Sequence, residues 1–351
     1  MIFSSDNAGP AAPEVMAALM RANEGYAAPY GNDPIMDTVR SLIREAFEAP
    51  DAMVHLVATG TAANVLSLAC LCPPWARVYT HEAAHIEEDE CGAPEFYTGG
   101  AKLQLLPGDH GKIAPETLRA AIEGTDHGFV HTVQRGAVSI TNLTESGAAY
   151  TPDEVAALSS IAKEFDLPFH MDGARFSNAL VGTNATPADM TWKAGVDALS
   201  FGGTKNGLLG VEAVIFFDPA KAWEFELRRK RGAHLFSKHR YLSAQMEAYM
   251  TDDLWLSLAR RANAAARKLS DGILALEGAS MLHPVDGNEI FAAFPRGAHR
   301  AAMAAGAQYY LWPFNQSLDG PDHEPLSCRL VCNWATTDEM VEEFLSVISN
   351  A

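Results

Sequence analysis

Met1 to about Pro13 shows no apolar period and is expected to form an arm. Apolar residues then recur at helical spacing over Ala12–Asn23 (Val15, Met16, Leu19, Met20), with Pro13 at the start. Turn formers from Gly25 to Pro34 separate this helix from a second one through Val39, Leu42, Ile43, Ala46 and Phe47, stopped near Pro50. Beyond it, short apolar runs alternate with amphipathic ones. Strands are predicted at Met53–Ala58, Arg77–Thr80, Ala101–Leu106, Gly128–Val133, Pro168–Met171, Gly195–Ser200 and Leu208–Phe217. Helices are predicted at Ala62–Leu71, Pro115–Ile122 and Thr151–Phe165. Such alternation gives an α/β fold, a mostly parallel sheet with helices on both faces. Ligands of such sheets sit at the carboxyl ends of the strands.

After Phe217 the pattern changes. Lys221–Gly232 is a charged helix, and Tyr241–Leu276 holds one or two long helices. A small α+β unit follows: strand Glu289–Ala293, helix His299–Gly306, strands Tyr309–Pro313 and Ser327–Asn333, and helix Thr337–Ser349. The expected division is an arm (1–12), a large domain (13–235) and a small C-terminal domain (236–351). A chain of 351 residues is long enough for both cores.

Composition removes several function classes. A net charge of -18 repels nucleic acid and anionic lipid, so neither is expected as a partner. No apolar run approaches a membrane span, and Met1–Asp6 lacks the features of a signal peptide. Cys70, Cys72, Cys91, Cys328 and Cys332 lack the spacing of a zinc site, so no metal is expected. The pairs Cys70/Cys72 and Cys328/Cys332 read as reduced core thiols, which points to a reducing cytoplasm.

Three stretches carry chemistry. In Ser200-Phe-Gly-Gly-Thr-Lys205-Asn-Gly207 one lysine sits in a glycine-rich turn between apolar strands. A lysine stripped of water there is a nucleophile toward carbonyls, as a Schiff-base lysine must be. In Phe169-His-Met-Asp172-Gly-Ala-Arg175 an aspartate ends a predicted strand and faces the ligand cleft. A carboxylate beside a pyridinium nitrogen keeps it protonated, and a protonated ring is an electron sink. In Val57-Ala-Thr59-Gly60-Thr61-Ala-Ala-Asn64 small residues open a helix whose free N–H groups suit a phosphate. The dinucleotide spacing G-x-G-x-x-G is absent, which argues against a nicotinamide oxidoreductase.

With these motifs the chain resembles the low-specificity L-threonine aldolases, within fold-type-I pyridoxal-phosphate enzymes. The resemblance runs from Ser4-Ser5-Asp6-Asn7 to Arg329, and includes Tyr30-Gly-Asn-Asp33-Pro34. It implies pyridoxal 5′-phosphate as a Schiff base on Lys205, with Asp172 on the ring nitrogen and Gly60 and Thr61 on the phosphate. It also implies Arg175 near the ring hydroxyl or substrate carboxylate, and His85 stacked on the ring, with Glu90 the acidic residue after it. Ser5 and Arg329 match carboxylate-binding positions, and a guanidinium is a natural carboxylate clamp. Tyr30 and Asp33 match a loop that reaches a neighbouring subunit's site, in what is usually a homotetramer.

Two stretches depart from the better-known branch. Val138-Ser-Ile-Thr-Asn-Leu-Thr-Glu145 replaces an Asn-Thr-His stretch, and His131 lies too far upstream to take over the histidine's place. Arg228–Arg231 and Lys238 differ from the family's glycine-rich stretch; they read as solvated helix charges, or else Lys238 replaces an arginine near the phosphate. The implied reaction is retro-aldol cleavage of a β-hydroxy-α-amino acid to glycine and an aldehyde. The base is His85 or a water it orients. β-Elimination or dehydration of a hydroxy amino acid is the rival reaction. A non-catalytic binding protein would have no need of Lys205, Asp172 and Arg329 together.

Overall fold

Six of the predicted strands and a seventh at Gln134–Thr141 pair into one sheet in the computed structural model, which describes residues 1–351. The strands are β1 (Met53–Val57), β2 (Ala76–His81), β3 (Lys102–Leu106), β4 (Gln134–Thr141), β5 (Phe169–Gly173), β6 (Ala198–Gly202) and β7 (Glu212–Phe216), in the order β1-β7-β6-β5-β4-β2-β3. The pairings from β6 through β3 are parallel, and β7 runs antiparallel to both β6 and β1. Registry places Thr141 beside Asp172 and Asp172 beside Ser200. Glu212, the first residue of β7, pairs with Gly202 on one side and Val57 on the other. One edge of the sheet therefore gathers the ends of five strands.

The helix Gly60–Leu71 is mostly apolar with no charged residue, and every residue from Ala62 to Leu71 is buried. Such a helix has no solvent face, so it lies in the interior and its N-terminus points at the functional edge. Behind that edge Phe201 stands among Phe47, Phe176, Tyr249 and Trp255, with ring centroids 5.5–5.9 Å away. Two glycines allow close approach: a Cβ on Gly202 would run into the backbone of Ala174, and one on Gly203 would meet Leu208.

A second, antiparallel sheet is formed by β8 (Ser280–Met281), β9 (Glu289–Pro295), β10 (Tyr310–Leu311) and β11 (Pro325–Val331), in the order β10-β11-β9-β8. Its core holds Leu269, Ile273, Ile290, Phe294, Leu330 and Phe344. Phe3 joins that core and its backbone bonds to Gln308 and Val331, so the expected arm is tied down. The helix Arg240–Met250 packs with the large core through Leu242, Met246 and Tyr249. The helix Leu254–Leu274 bridges both cores, Trp255 and Leu258 in one and Leu269 and Ile273 in the other.

One expected strand is misplaced. Gly128–Val133 is turn and coil, and the strand is Gln134–Thr141. The side chain of Gln134 takes up the loop's backbone groups, accepting from Gly128 N–H at 2.7 Å and donating to the carbonyls of Phe129 and Thr132. Those groups are lost to a sheet ladder, and Ala137, Val138 and Ile140 supply the buried strand. The helix expected at His299 begins earlier, at Arg296. The strand expected over Tyr309–Pro313 shrinks to Tyr310–Leu311.

Phe201→Ala would leave an aromatic-sized hole under the Lys205 turn. Urea unfolding is expected to show about 3–5 kcal/mol lost, read from a lower midpoint at constant slope.

Candidate active site

Each predicted chemical residue arrives from a different strand end. Thr59 caps the helix Gly60–Leu71 by accepting from Ala62 N–H at 3.2 Å, and its carbonyl takes Ala63 N–H. The first N–H groups of any helix lack intrahelical partners, which leaves those of Gly60 and Thr61 for a ligand. A Cβ built on Gly60 meets nothing within 4 Å, so the space in front of this helix start is open.

Lys205 lies in a single 3-10 turn, Thr204–Asn206, held from both sides. Glu212 accepts from Gly203 N–H at 2.6 Å and from the Thr204 hydroxyl. Asn206 donates to Tyr249 Oη at 2.7 Å and to the Trp255 carbonyl at 2.8 Å. The lysine projects from this clamp into a cavity of about 390 Å³. Gly60, Thr61, Asn64, His85, Asp172 and Arg175 share that cavity with it.

Asp172 ends β5 with one oxygen accepting from Ala174 N–H at 2.9 Å and the other from Asn64 Nδ2–H at 2.7 Å. The same Asn64 nitrogen donates to Glu90 Oε1 at 2.9 Å. Glu90 Oε1 also accepts from His85 Nδ1–H, again at 2.9 Å. Its carboxylate thereby fixes the imidazole tautomer and leaves Nε2 for the cavity. The hydrogen bond that His85 donates to Glu90 raises the His85 pKa against the opposing effect of burial. Burial raises Glu90, and its bonds with His85 and Asn64 offset this in part.

Arg175 is already paired. Its Nε donates to Asp6 at 2.7 Å, and a terminal nitrogen lies 3.1 Å from Glu289. Burial pushes Asp6 up, but Arg175, and then Lys205, pull it below the usual carboxylate range. Arg329 differs. It stands on β11 outside the cavity lining, its guanidinium over the rings of Tyr310 and Trp312, 5.6 and 5.1 Å from their centroids. Its hydrogen bond is a 3.4 Å contact to the Ser4 carbonyl, and its buried Nε has no partner.

The remaining expected residues lie outside this cavity. Ser5 caps the turn Asp6–Ala8, which carries Asn7 into the cavity wall. Asp33 is fully buried and caps its own helix, accepting from Met36 N–H and the Ser243 hydroxyl. Tyr30 is exposed under Lys230, and His131 and Lys238 are exposed as well.

Sequence reasoning assigned no role to Asn64, Asp6, Glu145, Glu212 or Glu289. Two of them carried a signal: Glu212 and Glu289 are single charges heading otherwise apolar strands, where burial demands partners. Burial pushes Glu212 up to about 7, against its bonds with Thr204 and Gly203.

A model of the family described as beta-eliminating lyase matches residues 3–295. The chain belongs to that family. It is 40% identical to a low specificity L-threonine aldolase of Pseudomonas aeruginosa, over 97% of this chain and 95% of that one. It is 38% identical to the low specificity L-threonine aldolase of a Pseudomonas species, over 99% and 96%. The solved structure of Leishmania major threonine aldolase superposes with a TM-score of 0.90 at 28% identity, over 99% of this chain and 98% of that chain. The sheet order and the small antiparallel sheet are those of fold-type-I pyridoxal-phosphate enzymes. No helix is long and apolar enough to cross a membrane.

The cavity fits the family's cofactor, pyridoxal 5′-phosphate. Its volume suits a small molecule, the space at Gly60 admits a phosphate, and a lysine and a buried carboxylate share the cavity. Glu90→Gln is expected to lower the His85 pKa, as followed by imidazole NMR across a pH titration. In the wild type the raised value stabilises the fold below pH about 6.5. That contribution fades as pH rises through the folded value, and the variant loses it.

Proposed function

We propose that this protein cleaves L-threonine, L-allo-threonine and related β-hydroxy-α-amino acids, such as phenylserine, to glycine and an aldehyde. The observation that carries this reading is His85, whose Nδ1–H is fixed on buried Glu90 while Nε2 is left for the cavity that holds Lys205 and Asp172. Pyridoxal phosphate, when bound, supplies the sink for the electron pair released at the substrate's α-carbon.

The chain's own residues do the rest. Lys205 Nζ is the amine that anchors the cofactor carbonyl. The Asp172 carboxylate, held by Asn64 and Ala174, keeps a proton on the ring nitrogen. Gly60 and Thr61 donate to the phosphate. Arg175, with its charge taken up by Asp6 and Glu289, is left to neighbour the ring hydroxyl. Arg329 has no carboxylate of its own within salt-bridge distance, and a guanidinium in that condition takes the substrate carboxylate, beside Ser5. His85 Nε2 accepts the β-hydroxyl proton as the bond between Cα and Cβ breaks, and Cα is then reprotonated to give glycine.

We place the enzyme in the reducing cytoplasm as a homotetramer with sites at a dimer interface. The four buried cysteines are unbridged, which supports the first. Exposed Phe96, Trp223 and Leu227 support association with further copies. Tyr30 is exposed on the loop before Asp33, where a neighbouring copy would meet it.

Purified protein should carry a yellow absorbance band that Lys205→Ala loses together with activity. Threonine should give glycine and acetaldehyde. Ammonia and a keto acid in their place would assign β-elimination and overturn the aldolase reading.

A further inference from the structure

Glu145 lines the same cavity but has no part in the steps above. It sits four residues beyond the end of β4, in the stretch that departs from the family's better-known branch. The loop that carries it is rigidly built. Thr144 bonds to the His110 carbonyl at 2.8 Å and exchanges backbone bonds with Ala148 and Gly147. Asn142 pins the next turn by accepting from Tyr150 N–H and donating to the Tyr150 carbonyl.

One carboxyl oxygen is fully engaged. Glu145 Oε1 accepts from the His85 backbone N–H at 2.7 Å and from the Thr141 hydroxyl at 2.8 Å. Its other oxygen, Oε2, is shielded from solvent and has no partner. The first bond matters because His85 opens a helical turn of four residues, His85–Glu88, whose N-cap Ala84 has no capping side chain. An unpaired N–H at such a start needs an outside acceptor. Glu145 is that acceptor. It fixes the backbone of His85, as Glu90 fixes the ring.

We propose that Glu145 is a positioning residue for His85, and that cleavage requires it as the carboxylate. The proposal rests on His85 being the base. A charged acceptor holds its donors more strongly than a neutral one. Protonation therefore slackens the His85 turn. The charged and titratable groups around Glu145 are Asp172, His85, Arg175 and Tyr150. Burial, reinforced by Asp172, pushes the Glu145 pKa up to about 7 against its hydrogen bonds, so the change falls within the neutral range.

Two protons then limit kcat for threonine on the acid side, one on His85 and one on Glu145. Glu145→Gln keeps an acceptor oxygen for His85 N–H and Thr141 but cannot ionise, so its kcat should stay depressed at every pH, as in the protonated wild type. Its acid limb should fall from a two-proton to a one-proton slope, with KM nearly unchanged. Glu145→Ala, which frees the turn, should lose about a hundredfold in kcat. A readout independent of turnover is the infrared difference between wild type and Glu145→Gln, both labelled at glutamate carboxyls. It should contain a protonated-carboxyl band that disappears as pH rises through about 7. Glu212, held near the same value, cancels in that difference.

Equal slopes in wild type and Glu145→Gln, or a difference spectrum without the titrating band, would overturn the proposal. If wild type released no glycine from threonine, the aldolase reading would fail while the infrared difference still tested the state of Glu145.

Discussion

The two N–H bonds of a single amide, Asn64 Nδ2, tie the halves of this site together. One goes to Asp172 at the end of β5 and the other to Glu90, which holds His85. Both acceptors are buried carboxyls, and a buried carboxylate without a donor is costly. The amide can serve both only because the helix Gly60–Leu71 runs through the interior, with its start at the same edge as β5. The fold is thus constrained from both ends: a helix without a solvent face forces burial, and burial forces its one amide to satisfy the charges it meets.

Charge is crowded at this edge. Asp6, Glu90, Glu145, Asp172, Glu212 and Glu289 meet three cations, Lys205, Arg175 and Arg329. The balance is met partly by pairing, as in Arg175 with Asp6 and Glu289, and partly by protons. Burial pushes Glu145 and Glu212 up to about 7 against their hydrogen bonds, so each exchanges its proton within the neutral range. Lys205 gains its fixed direction from neighbours on both sides, Glu212 through Thr204 and Tyr249 through Asn206. Its own sequence position carries no such information.

The order of strands and helices was legible because the hydrophobic period switches visibly between two and 3.6 along the first 220 residues. Where the reading slipped, at Gly128–Val133, an apolar run had its backbone bonds taken by the Gln134 side chain, and a pattern of hydrophobicity does not register that competition. Lys205, Asp172 and Gly60-Thr61 were legible for a different reason. Each is a chemically distinctive residue at a strand or helix end, and α/β sheets bring those ends together.

The sequence by itself therefore determined the fold class and singled out Lys205, Asp172 and Gly60-Thr61 as the candidates for holding a cofactor, with the reaction given as an expectation through resemblance. Only the tertiary structure decided how the charged residues divide their work. It showed Arg175 neutralised and Arg329 unpaired, Asp33 spent on a helix cap, and Asn64, Glu145 and Glu212 drawn into the site. The physical reason is that strand order along the chain fixes which ends meet. Hydrogen-bond partners 60 residues apart, as with His85 and Glu145, or 108 apart, as with Asn64 and Asp172, are set by packing and leave no local pattern.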